Sequence, residues 1–178
     1  MNKAKLGKKI YEISNIKGEF TLRSGQIATE YFDKYLFEAN PTILRAIAKQ
    51  MADILPETFD QLAGLEMGGI PIVTALSMKT GVPALFVRKE AKEYGTCKLA
   101  EGGNVDGATL VIIEDVVTSG GAVIDAVTEL RQRGATVNQV CCVIDRESTG
   151  RENLEALGLT FTPLFTKSEL EEYARIDG

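Results

Sequence analysis

The run Leu110-Val111-Ile112-Ile113-Glu114-Asp115-Val116-Val117-Thr118-Ser119-Gly120-Gly121-Ala122 constrains the fold more than any other stretch. Leu110 to Ile113 is a continuous apolar run with β-branched residues, which predicts a strand buried on both faces. The two acids that follow are expected where that strand reaches solvent, at its C-terminal end. Beyond the turn, Val123, Ala126, Val127 and Leu130 recur at helical spacing, so Ala122–Arg133 reads as a helix. Small polar residues and glycines between a strand and a helix make a place for a phosphate. Gly120 and Gly121 let backbone N–H groups approach an anion, the helix's first amides have no intrahelical acceptor, and Thr118 and Ser119 add hydroxyl donors. The carboxylates of Glu114 and Asp115, next to that cradle, suit the hydroxyls of a ribose. The plain alternative is a turn in which Ser119 caps the helix and nothing binds.

Composition narrows the chemistry. A chain of 178 residues with 44% hydrophobic and 25% charged content suits one globular domain with a real core. No apolar run approaches the roughly 18 residues of a membrane span. The start, Met1-Asn2-Lys3-Ala4-Lys5, is basic without a following apolar core, so no secretory signal is expected and the cytoplasm is the default. There are no histidines, which removes the commonest general base and the usual zinc ligand. The cysteines, Cys97, Cys141 and Cys142, have no metal-ligand spacing, and the last two fall in an apolar run as core thiols. A net charge of −5 gives no general attraction to nucleic acid or anionic lipid, so a polyanionic substrate needs a local cationic patch.

Along the chain, Leu6, Ile10 and Ile13 predict an amphipathic helix over residues 3–13. Residues 18–25 and 29–37 read as short strands around a turn, either a packed hairpin or a cap over something flat. Pro41 to Leu55 is a helix with Asn40 as its cap. Phe59–Leu65, Gly69–Thr80 and Pro83–Val87 then read as strand, helix and strand, the order of a parallel crossover. Residues 88–103 are rich in both charges and lack a hydrophobic face. They are either a solvated hairpin or a functional loop whose Arg88, Lys89 and Lys92 meet an anion at a strand end. Thr136–Asp145 is a long strand, followed by a helix over 149–157, a strand over 159–165 and a helix over 167–176. Asp145 and Arg146 end the long strand, as a surface ion pair or with Arg146 free for a carboxylate.

The assembled order of Leu110 to Ala122 resembles the phosphoribosyl-pyrophosphate (PRPP) motif of the type I phosphoribosyltransferases. Residues 88–95 with Glu101-Gly102 resemble the mobile catalytic loop of the orotate phosphoribosyltransferases within that family. Phe20-Thr21-Leu22-Arg23-Ser24-Gly25 resembles the strand opening their orotate site, and Val143-Ile144-Asp145-Arg146-Glu147 a later strand end whose arginine meets the orotate carboxylate. The likeness runs from about residue 18 to residue 170. It departs from the family at Ala122, where many members have a hydroxyl, at Tyr94 (often His), at Arg23 (often Lys) and at Gly68 (often Lys).

The resemblance implies an α/β fold of the type I phosphoribosyltransferases: a mainly parallel sheet flanked by helices, with a small hood over residues 18–37. It implies transfer of phosphoribosyl from PRPP to orotate, with Mg²⁺ as cofactor and held mainly through substrate, and a homodimer in which loop 88–103 acts on the partner's site. It places PRPP on Arg88, Lys89, Lys92, Tyr94 and residues Glu114 to Ala122, including Val116 and Val117. Orotate falls to Arg23, Thr118 and Arg146, and diphosphate to Glu66, Met67 and Gly68, with a cis bond at Glu66–Met67. Lys92, Lys89 and Asp115 are the expected catalytic residues. A phosphoribosyltransferase for another nucleobase, or a PRPP-sensing regulator on the same fold, would share the motif.

Overall fold

The computed structural model describes residues 1–21, 25–91 and 99–176. Its main sheet has six strands in the order β5-β4-β3-β6-β7-β8, formed by β3 (Gln61–Leu65), β4 (Ala84–Val87), β5 (Ala100–Glu101), β6 (Thr109–Val117), β7 (Thr136–Asp145) and β8 (Thr160–Thr166). All pairings in it are parallel except β4 with β5. A separate antiparallel pair joins β1 (Asn15–Thr21) to β2 (Ile27–Phe32).

A mostly parallel sheet must bury both faces, and two clusters of apolar side chains do so. On one face Ala63, Leu110 and Ile112 pack with Val123, Val127 and Leu130 of α5 (Gly121–Gln132) and Leu154 of α6 (Gly150–Ala156). On the other, Leu62, Val111 and Ile113 pack with residues of five helices. These are α1 (Lys3–Ser14), α2 (Lys34–Glu38), α3 (Pro41–Ala52), α4 (Gly69–Thr80) and α7 (Lys167–Arg175). The alternation along Val111, Ile112 and Ile113 sends successive side chains to opposite clusters, as the strand period requires. Cys141 and Cys142 are both fully buried, as their apolar setting predicts.

This topology fixes where a ligand can enter. After β3 the chain crosses by α4 to β4 on one side; after β6 it crosses by α5 to β7 on the other, and the two helices cover opposite faces. The connections therefore diverge between the C-terminal ends of β3 and β6, which leaves a crevice at Leu65 and Val117.

Some boundaries differ from the sequence expectations. Residues 29–37 do not form one strand: β2 ends at Phe32, and α2 (Lys34–Glu38) follows because Asp33 caps it, its side chain accepting from Tyr35 N at 3.1 Å. The helix begun by Pro41 stops at Ala52 rather than Leu55. Within the expected loop 88–103, Ala100 and Glu101 form an edge strand, and Leu99 and Ala100 are buried in the core.

Candidate active site

The largest correction concerns the acid pair. Glu114 and Asp115 are not at a solvent-facing strand end; β6 runs on through Val116 and Val117, which pair with Ile144 and Asp145. Glu114 is 8% exposed and Asp115 is 0% exposed. Glu114 Oε1 accepts from Asp115 N at 3.0 Å, and Asp115 Oδ1 from Val116 N at 2.6 Å.

Two side chains absent from the sequence-level site complete this cluster, both from α2. Lys34 Nζ stands 2.6 Å from Asp115 Oδ2. Glu38 is 5% exposed, and its Oε1 faces the same space. Neither Glu38 Oε1 nor Asp115 Oδ2 has an aligned hydrogen bond, so the Lys34 contact acts through charge. Burial, and then the hydrogen-bonding and charge influence of Asp115, push the Glu38 carboxyl up to about 9. Burial, then Asp115, likewise carries Glu114 well above the usual carboxylate range. For Asp115 burial also acts upward but is outweighed by Glu114, Glu38 and Lys34, which hold it below that range. The cluster thus favours negative charge on Asp115 over its carboxyl neighbours, with an ammonium beside it.

Gly68 roofs this cluster. A Cβ on Gly68 would overlap the Asp115 carboxylate and stand 3.0 Å from Glu38 Oε1. The loop carrying it, Glu66-Met67-Gly68, leaves the end of β3 with a cis peptide at Glu66–Met67. Glu66 and Met67 are exposed. Glu66 Oε1 accepts from Lys89 N at 2.6 Å, which ties this loop to the strand end bearing Arg88 and Lys89. Lys89 is exposed, while Arg88 Nε lies 3.4 Å from Glu101 Oε1.

Across the crevice, Thr118, Ser119, Gly121 and Ala122 are exposed. Ser119 does not cap α5; Gly120 holds that position with φ 78°, a left-handed conformation that favours glycine, and supplies no side-chain hydrogen bond. The first amides of α5 therefore lack a side-chain acceptor from the cap residue, beside two hydroxyls. The turn is braced from below: Asn153 Nδ2 donates to Ser119 O at 2.9 Å, and Gly150 packs against Thr118 O.

At the neighbouring strand end Arg146 N donates to Val117 O at 2.9 Å, which sets Arg146 on the rim that carries Thr118. Asp145 pairs with Arg151 at 3.5 Å and accepts from Glu147 N at 2.9 Å. The guanidinium of Arg146 lies 5.8 Å from the Phe32 ring centroid, so the β1–β2 sheet meets the main sheet there. A cavity of about 250 Å³ opens beside them, lined in part by Phe32, Ile144 and Arg146. Arg23, Lys92 and Tyr94 lie outside the described residues.

Among the described residues no group of three or more His, Cys, Asp or Glu side chains is arranged to hold a metal ion. The crevice instead brings together a buried carboxylate cluster, a glycine turn with exposed hydroxyls, a second loop at β3 and an arginine on an aromatic ring. That combination can accept hydrogen bonds from a diol, donate to a phosphoryl group and pair with a planar acid.

The comparisons give the class: residues 36–157 match the phosphoribosyl transferase domain. An orotate phosphoribosyltransferase from a Nocardioides species is 55% identical over 94% of this chain and 94% of its own. The orotate phosphoribosyltransferase of Mycobacterium tuberculosis, solved with Fe(III) dicitrate, is 29% identical with a TM-score of 0.87, covering 94% of this chain and 98% of that one. The same enzyme in complex with PRPP gives 26% identity and a TM-score of 0.82, over 95% of this chain and 98% of that one. The chain belongs to the orotate phosphoribosyltransferases, within the type I phosphoribosyltransferase fold.

Proposed function

We infer that the protein transfers the phosphoribosyl group of PRPP to N1 of orotate, giving orotidine 5′-monophosphate and diphosphate, in pyrimidine biosynthesis. The observation that carries this reading is the set of neighbouring strand ends: the Gly120 turn follows β6, Arg146 at the end of β7 bonds Val117 O, and the acid cluster lies within the last residues of β6. The ribose diol bonds the Glu114–Asp115 pair, the 5′-phosphate takes the hydroxyls and amides of residues 118–122, and diphosphate lies against residues 66–68. The orotate carboxylate pairs with Arg146, while Thr118 and Arg23 border the base.

In the reaction the ribose C1–O bond breaks, its electron pair leaves with diphosphate, and N1 of orotate bonds to C1 and gives up its proton. Positive charge grows on the ribose ring, and Asp115 stands on the side that stabilises it. Arg88, Lys89 and Lys92 offset the charge on the departing diphosphate, and Tyr94 adds a hydrogen-bonding tip. Closure of loop 88–103, acting across a homodimer, keeps water from hydrolysing PRPP. Mg²⁺ would be held mainly through the substrate, since no described side-chain group is arranged to hold a metal, and would supply positive charge that offsets the leaving diphosphate. The family and the absence of any helix long and apolar enough to cross a membrane among the described residues suit a cytoplasmic enzyme.

The test is the loss of orotate absorbance on adding PRPP and Mg²⁺ to the purified protein. Consumption of orotate with stoichiometric diphosphate release is expected. Turnover with a purine base and none with orotate would overturn the assignment.

A further inference from the structure

Lys34 occupies a position that the reaction as described does not use. Asp115, read above as a diol acceptor, is 0% exposed, and the group standing over its Oδ2 is the ammonium of Lys34 at 2.6 Å, on a side chain that is 34% exposed. The ammonium therefore lies between the carboxylate and solvent, where the sugar must arrive. A carboxylate so buried is costly without a counter-charge, and Lys34 supplies one in direct contact with Asp115 Oδ2.

The neighbouring loop sharpens the point. Glu66-Met67-Gly68 carries no cation, and its one charged side chain is an acid. Gly68 has no room for a side chain, because the Asp115 carboxylate and Glu38 Oε1 fill the space where a Cβ would stand. Lys34 approaches that same space from α2. Its backbone is anchored, since Asp33 N donates to Ser14 O at 2.8 Å and Asp33 caps α2, and its ammonium also lies 5.3 Å from the Tyr35 ring centroid, at the end of a four-carbon stem whose rotatable bonds permit a change of partner.

We propose that Lys34 is a counter-ion that changes partner: it neutralises Asp115 while the ribose place is empty, and passes to the diphosphate of PRPP when the sugar's diol takes over the carboxylate. The proposal rests on the reading of Glu114 to Ala122 as the PRPP site. In the exchange the diol's neutral hydroxyls take over from the ammonium as hydrogen-bond donors to Asp115, and the released ammonium lies beside a polyanion in a loop that has no cation of its own. The hood thereby senses PRPP through one side chain.

The experiment compares the affinity of magnesium diphosphate and of PRPP for wild type, Lys34→Met, Lys34→Arg and Asp115→Asn by calorimetry, with KM for both substrates. Lys34→Met is expected to weaken PRPP and raise KM for PRPP at least tenfold, with a smaller loss for diphosphate alone and KM for orotate within twofold of wild type, and Lys34→Arg to recover most of the loss. PRPP affinity unchanged in Lys34→Met, or equal losses for PRPP and orotate, overturns the role of Lys34. If Asp115→Asn binds PRPP as wild type does, the site reading itself fails, and the proposal with it. Should Lys34→Met not fold, wild type labelled with ¹⁵N-lysine decides. The Nζ signal of Lys34, assigned by its loss in Lys34→Arg, must move on adding PRPP with Mg²⁺, and a stationary signal at saturating PRPP overturns the proposal.

Discussion

The α-carbon of Gly68 sits directly over the carboxylate of Asp115, so closely that a methyl group at residue 68 would overlap it. The glycine is thus required by a residue 47 positions further along the chain. Gly68→Ala must push Asp115 or the β3 loop aside. We expect a stability loss of about 1–3 kcal/mol from overpacking. Misplacing the diol acceptor should lower kcat/KM for PRPP about a hundredfold. Thermal unfolding and steady-state kinetics on the same preparation check both, and a fully active, equally stable variant would show that the loop does not press on Asp115.

Glu38 gives the folded state a pH signature. Its carboxyl is raised to about 9 in the folded protein, by burial and by the neighbouring Asp115, against an ordinary value of 4.5 in an open chain. A folded-state value above the unfolded one means the native protein keeps a proton that the unfolded chain releases. The contribution is fully present below about 4.5 and is lost as pH rises toward 9. Glu38→Gln, which is neutral at every pH, should flatten the decline of unfolding free energy between those limits. Denaturant titrations at several pH values read this directly, and parallel curves for the two proteins would contradict it.

Arg146 is held on the rim by Val117 and stacked on Phe32, with Asp145 committed to Arg151 instead. Its guanidinium is therefore available to a substrate acid. Arg146→Ala should lower kcat/KM for orotate about 10- to 100-fold, the loss of a charge-assisted hydrogen bond. KM for PRPP should change little, and an equal effect on both substrates would place Arg146 outside the base site.

Lys92 lies outside the described residues, and its expected role comes from the charged run and the family likeness. Lys92→Ala should reduce turnover by orders of magnitude while leaving the melting temperature unchanged. Near-normal turnover would remove the loop from the mechanism.

Much of the architecture was legible in local pattern. The apolar run at 110–113, the helical spacing after Gly121 and the proline-led helices mark elements whose order alone calls for a parallel sheet. The glycine turn between β6 and α5 was legible for the same reason, since paired glycines there mark a change of direction that a left-handed Gly120 makes. The burial of Glu114 and Asp115 was not. Acids signal a strand end, but here Val116 and Val117 continue the ladder and the carboxyls are balanced by charge from elsewhere. That charge comes from Lys34, and no sequence periodicity links residue 34 to residue 115. A nearer signal did exist: Asp33 before Lys34, with Pro41 beyond, marks a short helix rather than the tail of a strand. The alternation of aromatic residues through Tyr31, Tyr35 and Phe37 hid it.

The most direct measurement is a crystal structure of the protein soaked with orotate, diphosphate and Mg²⁺, and a second with PRPP and Mg²⁺. The ribose hydroxyls are expected on Glu114 and Asp115, the 5′-phosphate against residues 118–122, diphosphate beside residues 66–68, and the orotate carboxylate on Arg146. PRPP bound away from β6 and its glycine turn, with Asp115 still buried and untouched, would contradict it.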